Sequence, residues 1–114
     1  MVHAHHRELA VLDAADQVVD EVNRLIDEAP RRLLYAAQLR DSAQSISANI
    51  SEAFGRGTIG ERNRSLRVAR GEAEETIRHL RPNFVSKRIK DAPYWRIRNR
   101  LITIVKMITS LLNP

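Results

Sequence analysis

The chain has 114 residues, a formal net charge of +5 and no cysteine. This length is typical of one domain and is too short for a dinucleotide-binding domain plus a substrate domain. Without cysteine, disulfides, thiolate zinc sites, iron–sulfur clusters and a cysteine nucleophile are excluded. Hydrophobic residues make up 43% of the chain and aromatic residues only 4%, so Leu, Ile, Val and Ala must build the core. That set suits helices.

The positive charge is concentrated in the second half of the chain. Up to Gly55 there are 5 Arg or Lys against 9 Asp or Glu, and from Arg56 onward 14 against 5. A positive electrostatic field of this kind favours binding of nucleic acid or of an acidic protein surface. The start of the chain lacks the apolar region of a signal peptide, and no apolar run is long enough to span a bilayer. We therefore expect a cytoplasmic protein with no membrane partner.

The first predicted helix covers residues 8–28 and is ended by Pro30. Its apolar residues recur at steps of three and four, as one face of a helix requires. They form one stripe of Leu12, Ala15, Val19, Val22 and Ile26 and a second of Val11, Val18 and Leu25. We expect residues 1–7 to be disordered. Metal chelation by His3, His5 and His6 is the less favoured alternative.

Three further helices follow, again from steps of three and four. The second covers about 31–54, the third is closed by Pro82, and the fourth begins near Asp91, a candidate N-cap. Their predicted core stripes are Ala36, Leu39, Ala43, Ile46, Ile50 and Ala53; then Leu66, Ala69, Ala73, Ile77 and Leu80; then Tyr94, Ile97, Leu101, Ile104, Ile108 and Leu111. The heptad spacing predicts an all-α protein, a single four-helix-bundle domain over residues 1–114.

The fourth helix has a second apolar stripe. It consists of Ile102, Val105 and Leu112. One small bundle cannot bury so wide an apolar face, so we expect the surplus to cover a subunit interface between copies of the chain.

Gly55, Gly57 and Gly60 spell G-x-G-x-x-G. In a dinucleotide-binding loop these glycines follow a buried strand, whereas here they follow an amphipathic helix. We interpret the segment as a helix hairpin turn instead. In that turn Gly55 takes the left-handed position, and Thr58 is an N-cap with Glu61 at the third helical position, which makes a capping box.

The segments "LRDSAQSISANISEAFGRG" and "ERNRSLRVARGEAEET" resemble a four-helix-bundle family that includes proteins encoded in intervening sequences of large-subunit rRNA genes. More distant relatives of this family include the accessory variability determinant of diversity-generating retroelements. The family pattern S-I-P-x-N-I-A-E-G-x-G-R falls on Ser45, Ile46, Asn49, Ile50, Glu52, Gly55 and Arg56, and its second block falls on Ala69, Arg70, Gly71 and Glu74. Ser47 replaces the usual Pro and Ala53 the usual Gly.

This resemblance implies an antiparallel, up-down four-helix subunit that assembles into a ring, in known relatives a homopentamer. It attributes no catalytic activity to the bundle. The best-understood relatives use basic surface to hold nucleic acid and a reverse transcriptase.

Two polar pairs lie within the family motifs. Asn49 and Glu52 are three residues apart, and Arg70 and Glu74 are four apart, so each pair shares one helical face. A ligand site is one interpretation. We favour the other, a structural polar network that fixes helix register, because interhelical pairing explains these residue types without a ligand.

The arginines and lysines of the second half are the predicted nucleic-acid-binding residues. Arginine predominates, and a guanidinium can bind a phosphate through two hydrogen bonds. The predicted residues are Arg56 and Arg62 at the turn, Arg64, Arg67 and Arg78 on the third helix, Arg96, Arg100 and Lys106 on the fourth, and Lys87, Arg88 and Lys90 in the last loop.

No enzyme signature accompanies these features. The sequence has no H-E-x-x-H, Walker loop, G-x-S-x-G or Glu-x-x-His pair, the motifs that would indicate the commoner metal, nucleotide or acyl chemistries. We therefore predict a non-enzymatic, cofactor-free homo-oligomer that holds RNA or DNA as an accessory to a processing partner such as a reverse transcriptase. The alternative is a protein-interaction scaffold whose basic face meets an acidic protein. A third hypothesis, a metal-binding bundle, is supported only by the N-terminal histidines.

Overall fold

The computed structural model describes residues 2–55 and 57–112, with side chains from His6 onward. It contains helices α1 (Val2–Glu28), α2 (Ala36–Phe54), α3 (Ile59–Val85) and α4 (Asp91–Leu112), and no strand within the described ranges. A helix of 27 residues, such as α1 or α3, is about 40 Å long at 1.5 Å per residue. The molecule measures 44 × 21 × 19 Å, so its long helices follow its long axis. The all-α prediction is confirmed.

Each helix packs against two others, and together they enclose one core. α2 contacts α1 and α3, and α4 contacts α3 and α1. All six predicted core residues of α4 are buried, as are the predicted residues of α2 except Ala36, which is half-buried. Aliphatic residues dominate this core, and Tyr94 is its largest fully buried side chain.

The buried face of α1 combines residues from both predicted stripes. It consists of Val11, Ala15, Val18, Val22 and Ile26. Leu12, Val19 and Leu25 are half-buried and lie at its edges. Both stripes satisfy helical spacing and lie side by side, so the spacing alone does not locate the centre of the face.

A pair of hydroxyl groups lies in the core between α2 and α3. Thr76 is fully buried, and its Oγ1 lies 2.8 Å from Oγ of the buried Ser42. The Thr76 hydroxyl also donates to the carbonyl oxygen of Glu72, at 2.7 Å. Thr76 occupies the core position that the sequence analysis gave to its neighbour Ile77, which is half-buried. A threonine suits this position because its hydroxyl has partners there.

Three helix boundaries differ from the predicted ones. α1 begins at Val2, so residues 2–7 continue the helix where disorder was predicted. Arg7 also donates from Nη2 to Oγ of Ser110 on α4, at 2.6 Å. α2 begins at Ala36 rather than near residue 31, because Tyr35 adopts the left-handed conformation with φ 57°. Residues 31–35 instead cross one end of the bundle.

α3 continues through Pro82 to Val85, although the sequence analysis ended it at Pro82. A proline in a helix removes one N–H donor. The helical turn that follows Pro82 is closed by Ser86, which donates from its N–H and its hydroxyl to the Pro82 carbonyl, at 3.1 and 2.7 Å. Continuation of the helix also carries Asn83 into the interior, where it is fully buried.

Asn83 joins α3 to both chain connections at this end. Its Oδ1 accepts the N–H of Leu34 at 2.6 Å, and its Nδ2 donates to the carbonyl oxygen of Leu34 at 2.9 Å. Its own carbonyl oxygen accepts the N–H groups of Arg88 at 2.7 Å and Ile89 at 3.3 Å. One buried residue therefore fixes the connection 29–35 and the connection 86–90 to the same helix.

The glycine turn has a different geometry from the predicted one. Gly55 is right-handed, with φ −95° and ψ −1°, and its N–H bonds the Glu52 carbonyl at 3.1 Å. The left-handed assignment was wrong because this tight final bond closes α2 without a sign change in φ. Thr58 is confirmed as the N-cap of α3, since its Oγ1 accepts the N–H of Glu61 at 3.2 Å. Arg56 lies outside the described residues.

We expect Asn83→Ala to lower the free energy of unfolding by about 2–4 kcal/mol, because the buried backbone groups of Leu34 lose their partners. Urea denaturation measures the change. Asn99→Ala is the matched control, because Asn99 is exposed on α4 and its truncation should cost less than about 0.5 kcal/mol. Equal losses in the two variants would contradict the role assigned to Asn83.

Candidate functional site

The connections 29–35 and 86–90 meet at one end of the molecule, here called the loop end. Nη1 of Arg88 donates to the carbonyl oxygen of Arg32 at 3.0 Å and links the two connections directly. Five cationic residues therefore gather there, all exposed: Arg31, Arg32, Lys87, Arg88 and Lys90. The fold thus brings the exposed cations of two connections into one group.

Sequence reasoning found only part of the loop end. Arg88 and its two lysine neighbours were predicted, but Arg31 and Arg32 were placed inside the second helix and left out of the candidate site. They lie more than 50 residues away in the sequence, and their proximity depends on the fold. The available signal was Pro30, because a pair of arginines directly after a helix-ending proline indicates a connection.

A cleft of about 300 Å³ lies between the two connections. Arg32, Arg88 and Lys90 line it together with Glu28, so three cations face one carboxylate. The apolar side chains of Leu25, Leu33, Ile89 and Pro93 complete its wall. The cleft therefore combines positive charge with apolar surface.

Three aromatic residues pack beside the loop end. The rings of Phe84 and Tyr94 are stacked with centroids 4.0 Å apart, and Trp95 meets both edge-on at 5.6 and 5.0 Å. Tyr94 is buried, whereas Trp95 is 44% exposed. The Arg98 guanidinium lies 5.3 Å from the Trp95 ring centroid, close enough for a cation–π interaction.

Two predicted phosphate-binding residues of α4 are paired with an acidic residue of α1. Nε of Arg96 donates to Oε2 of Glu21 at 2.6 Å, and Nε of Arg100 donates to Oε1 at 3.0 Å. The Glu21 side chain is only 12% exposed, against 53% for Arg96 and 31% for Arg100. One carboxylate thus binds both arginines and neutralises part of the charge that the sequence assigned to this surface.

The predicted cations of α3 differ in environment. Arg64 and Arg67 are exposed, and Arg62 is half-buried with its Nη1 donating to Oδ1 of Asn63 at 3.1 Å. Arg78 forms an ion pair with Glu75 at 3.0 Å. The Arg78 hydrogen bond lowers the pKa of the Glu75 carboxyl, and His79 lowers it further. Lys106, on α4, is exposed.

The four residues of the predicted polar network occupy two places. Asn49 and Glu52 line an open groove of about 580 Å³ together with Arg64. The Asn49 amide donates within its own helix, to the carbonyl oxygen of Ser45 at 2.8 Å. Arg70 donates instead to Oγ1 of Thr109 on α4, at 3.1 Å, and Glu74 is exposed. Arg70 is the member with a described interhelical hydrogen bond.

The described part of the chain has neither a metal-binding cluster nor a helix that could span a membrane. It contains no group of three or more His, Asp or Glu residues able to hold a metal ion. The side chains of His3 and His5 lie outside the described ones, and His6 is exposed. Among the four described helices, none has both the length and the apolarity to cross a bilayer.

The family model of the 23S rRNA-intervening sequence protein matches residues 7–110, which include nearly all of the four helices and the whole loop end. The chain belongs to this family. It is also similar, at 26% identity and a TM-score of 0.80, to the crystal structure of a protein of unknown function from the S23 ribosomal protein family of Bacteroides thetaiotaomicron. That similarity covers 95% of this chain and 99% of the other. No curated protein matches the chain.

In this member of the intervening sequence protein family, we expect Glu21→Gln to lower the free energy of unfolding by about 1 kcal/mol at low salt, because a neutral amide binds two guanidinium groups less strongly. Thermal or urea unfolding at two salt concentrations measures it, and the loss should shrink as salt screens the pairs. Asp20→Asn removes the same charge from an exposed neighbour and is the control. Identical stability of the two variants at low salt would contradict the pairing.

Proposed function

We propose that the chain is a non-enzymatic nucleic-acid-binding protein whose loop end and exposed α3 arginines contact phosphates. The observation that carries the proposal is the convergence of Arg31, Arg32, Lys87, Arg88 and Lys90 from two distant connections. Cations at one end of a narrow body can neutralise several phosphates of one strand together. Arg64 and Arg67 would extend the contact along α3.

The proposed architecture is an antiparallel up-down bundle. Arg7 near the start of α1 reaches Ser110 near the end of α4, and Arg40 in the first half of α2 forms an ion pair with Asp27 near the end of α1, at 3.1 Å. Asn83 near the end of α3 contacts Leu34 just before α2. Each contact pairs opposite ends of neighbouring helices, which supports this arrangement.

We also propose that the subunits assemble into a ring, with five copies as the number implied by the resemblance. The second stripe of α4, Ile102, Val105 and Leu112, is only half-buried in the single chain. Exposed apolar side chains on other helices add to this surface: Leu9 is 58% exposed, Ile59 73% and Val68 46%. A contact between copies would remove this area from water, and a ring would repeat the loop end and strengthen weak phosphate contacts.

The biological partner proposed for this assembly is a nucleic-acid-processing protein such as a reverse transcriptase, in the cytoplasm. This proposal, like the relationship to the accessory variability determinant, rests on the motif resemblance. The name of the family refers to an intervening sequence of 23S rRNA, which makes rRNA the first nucleic acid to test.

A protein-interaction scaffold is the second candidate. It is favoured by the mixed surface in the first half of α3, where the exposed Ile59 and Val68 flank the exposed Arg64 and Arg67 in the sequence. Apolar side chains among cations suit the surface of a protein with acidic and apolar residues better than they suit a phosphate backbone. Such a partner would bind selectively, whereas phosphate binding would be indifferent to sequence.

The first test is the mass of the nuclease-treated protein in solution, followed by titration of the same sample with labelled RNA and duplex DNA. We expect an oligomer that binds both. With four neutralised phosphates, the affinity should fall about 100-fold for a fourfold rise in salt. An oligomer that binds neither at low salt would contradict the nucleic-acid proposal and favour the scaffold.

Charge removal at the loop end is the matching variant test. Arg31→Gln with Lys87→Gln should weaken binding to every sequence and reduce the steepness of the salt dependence by about two counterions. Arg7→Gln with Lys106→Gln removes two cations away from the loop end, at the start of α1 and in the second half of α4, and should change the affinity much less. If both double variants lose affinity equally, binding follows net charge rather than the loop end.

A further inference from the structure

The cleft at the loop end has the composition of a small-ligand site rather than of a flat phosphate-binding surface. Its 300 Å³ matches the lower end of pockets that hold small molecules, about 300–1,000 Å³. Arg32, Arg88 and Lys90 supply charge, and Leu33, Ile89 and Pro93 supply apolar surface. A duplex is too wide to enter it, but a single nucleotide is of suitable size.

The wall of the cleft is held by hydrogen bonds before any ligand arrives. Arg88 is fixed at both its backbone and its side chain, because its N–H bonds the Asn83 carbonyl at 2.7 Å and its Nη1 bonds the Arg32 carbonyl at 3.0 Å. Lys90 accepts the N–H of Tyr94 at 3.2 Å and so begins α4. A guanidinium has five N–H donors, so Arg88 keeps others for a ligand. Preformed walls reduce the ordering cost of binding.

We propose that this cleft binds the terminal phosphorylated nucleotide of a nucleic-acid strand, with the phosphate at Arg32, Arg88 and Lys90 and the base against the apolar wall. A terminal phosphomonoester carries about −1.5 to −2 charges at pH 7, up to twice the charge of an internal phosphodiester. Three cations against one carboxylate leave a surplus that matches the monoester. The inference rests on the proposed function, because the ligand is the end of the strand that the loop end holds.

Glu28 has a distinct role in this site. A carboxylate in a cationic cleft repels phosphate, but it is a strong acceptor for hydroxyl donors. The terminal sugar supplies such hydroxyls, and a carboxylate that accepts from a ribose hydroxyl is a known device of nucleotide-binding folds. Glu28 therefore favours a ribonucleotide end over a bare phosphate ion.

The test compares short RNA strands of one sequence that carry a 5′-phosphate, a 3′-phosphate or hydroxyls at both ends, each labelled internally. Fluorescence anisotropy at one salt concentration measures their affinities for the full chain. We expect a phosphorylated end to bind about tenfold more tightly than a hydroxyl end, the effect of one or two added charge-assisted hydrogen bonds. The comparison of the two phosphorylated strands identifies which terminus enters the cleft.

Two double variants with the same charge change distinguish the cleft from the rest of the loop end. Arg32→Gln with Lys90→Gln alters residues that line the cleft and should abolish the preference for a phosphorylated end. Arg31→Gln with Lys87→Gln alters residues of the loop end outside the lining and should preserve the preference while it lowers overall affinity. Equal affinity of the wild type for all three strands, or equal loss of the preference in both variants, overturns the proposal.

A titration of the unaltered protein with nucleoside monophosphate and with inorganic phosphate gives a measurement that no folding defect can affect. Amide resonances of residues 29–35 and 86–90 should shift with the monophosphate at concentrations where inorganic phosphate has a weaker effect. Shifts elsewhere, or none, contradict the cleft. Strand binding without an end preference leaves the proposed function standing and removes this inference. Monophosphate binding without strand binding contradicts both, because the cleft would then hold a free nucleotide and not the end of a strand.

Discussion

The geometry of the loop end depends on one buried side chain. Asn83 has no contact with solvent, and its amide and carbonyl groups bond both the connection that precedes α2 and the connection that follows α3. An asparagine satisfies this position because it presents one acceptor and two donors in a fixed plane, matching the N–H and C=O of Leu34. Among the described side chains, no buried polar atom lacks a hydrogen-bond partner, so the polar groups inside this bundle specify its arrangement at little desolvation cost.

Charged residues are distributed unevenly over the folded protein. The sequence divides into an acidic first half and a basic second half, and the fold places acidic α1 against basic α4. Glu21 compensates Arg96 and Arg100 there, whereas the loop end keeps an excess of cations. The positive field of the folded protein therefore lies elsewhere than a count along the chain indicates. Any anion that binds Arg96 or Arg100 must therefore compete with the Glu21 carboxylate.

Much of the fold could be predicted because helical spacing is a local property. All six core residues of α4 and the Thr58 cap can be predicted from residues that are close to them in the sequence. The errors occurred where segments distant in the sequence meet: Pro82 lies inside α3 next to Asn83, and Asn83 bonds Leu34 in the non-helical segment 31–35. The candidate site, too, was predicted only where its residues are close in the sequence. Arg88 was found from a run of charge, whereas its partner Arg32 requires the tertiary fold.

The aromatic cluster beside the loop end has a practical consequence. The chain has one tryptophan, and it lies two residues after Pro93 of the cleft wall, partly exposed and stacked edge-on against Phe84 and Tyr94. Indole emission responds to changes in polarity and in nearby charge. The protein therefore carries a single intrinsic fluorophore at the end of the molecule where its two connections meet. Ligand binding or a structural change at that end can be followed by tryptophan fluorescence of the unmodified protein, without a label and without interference from a second indole.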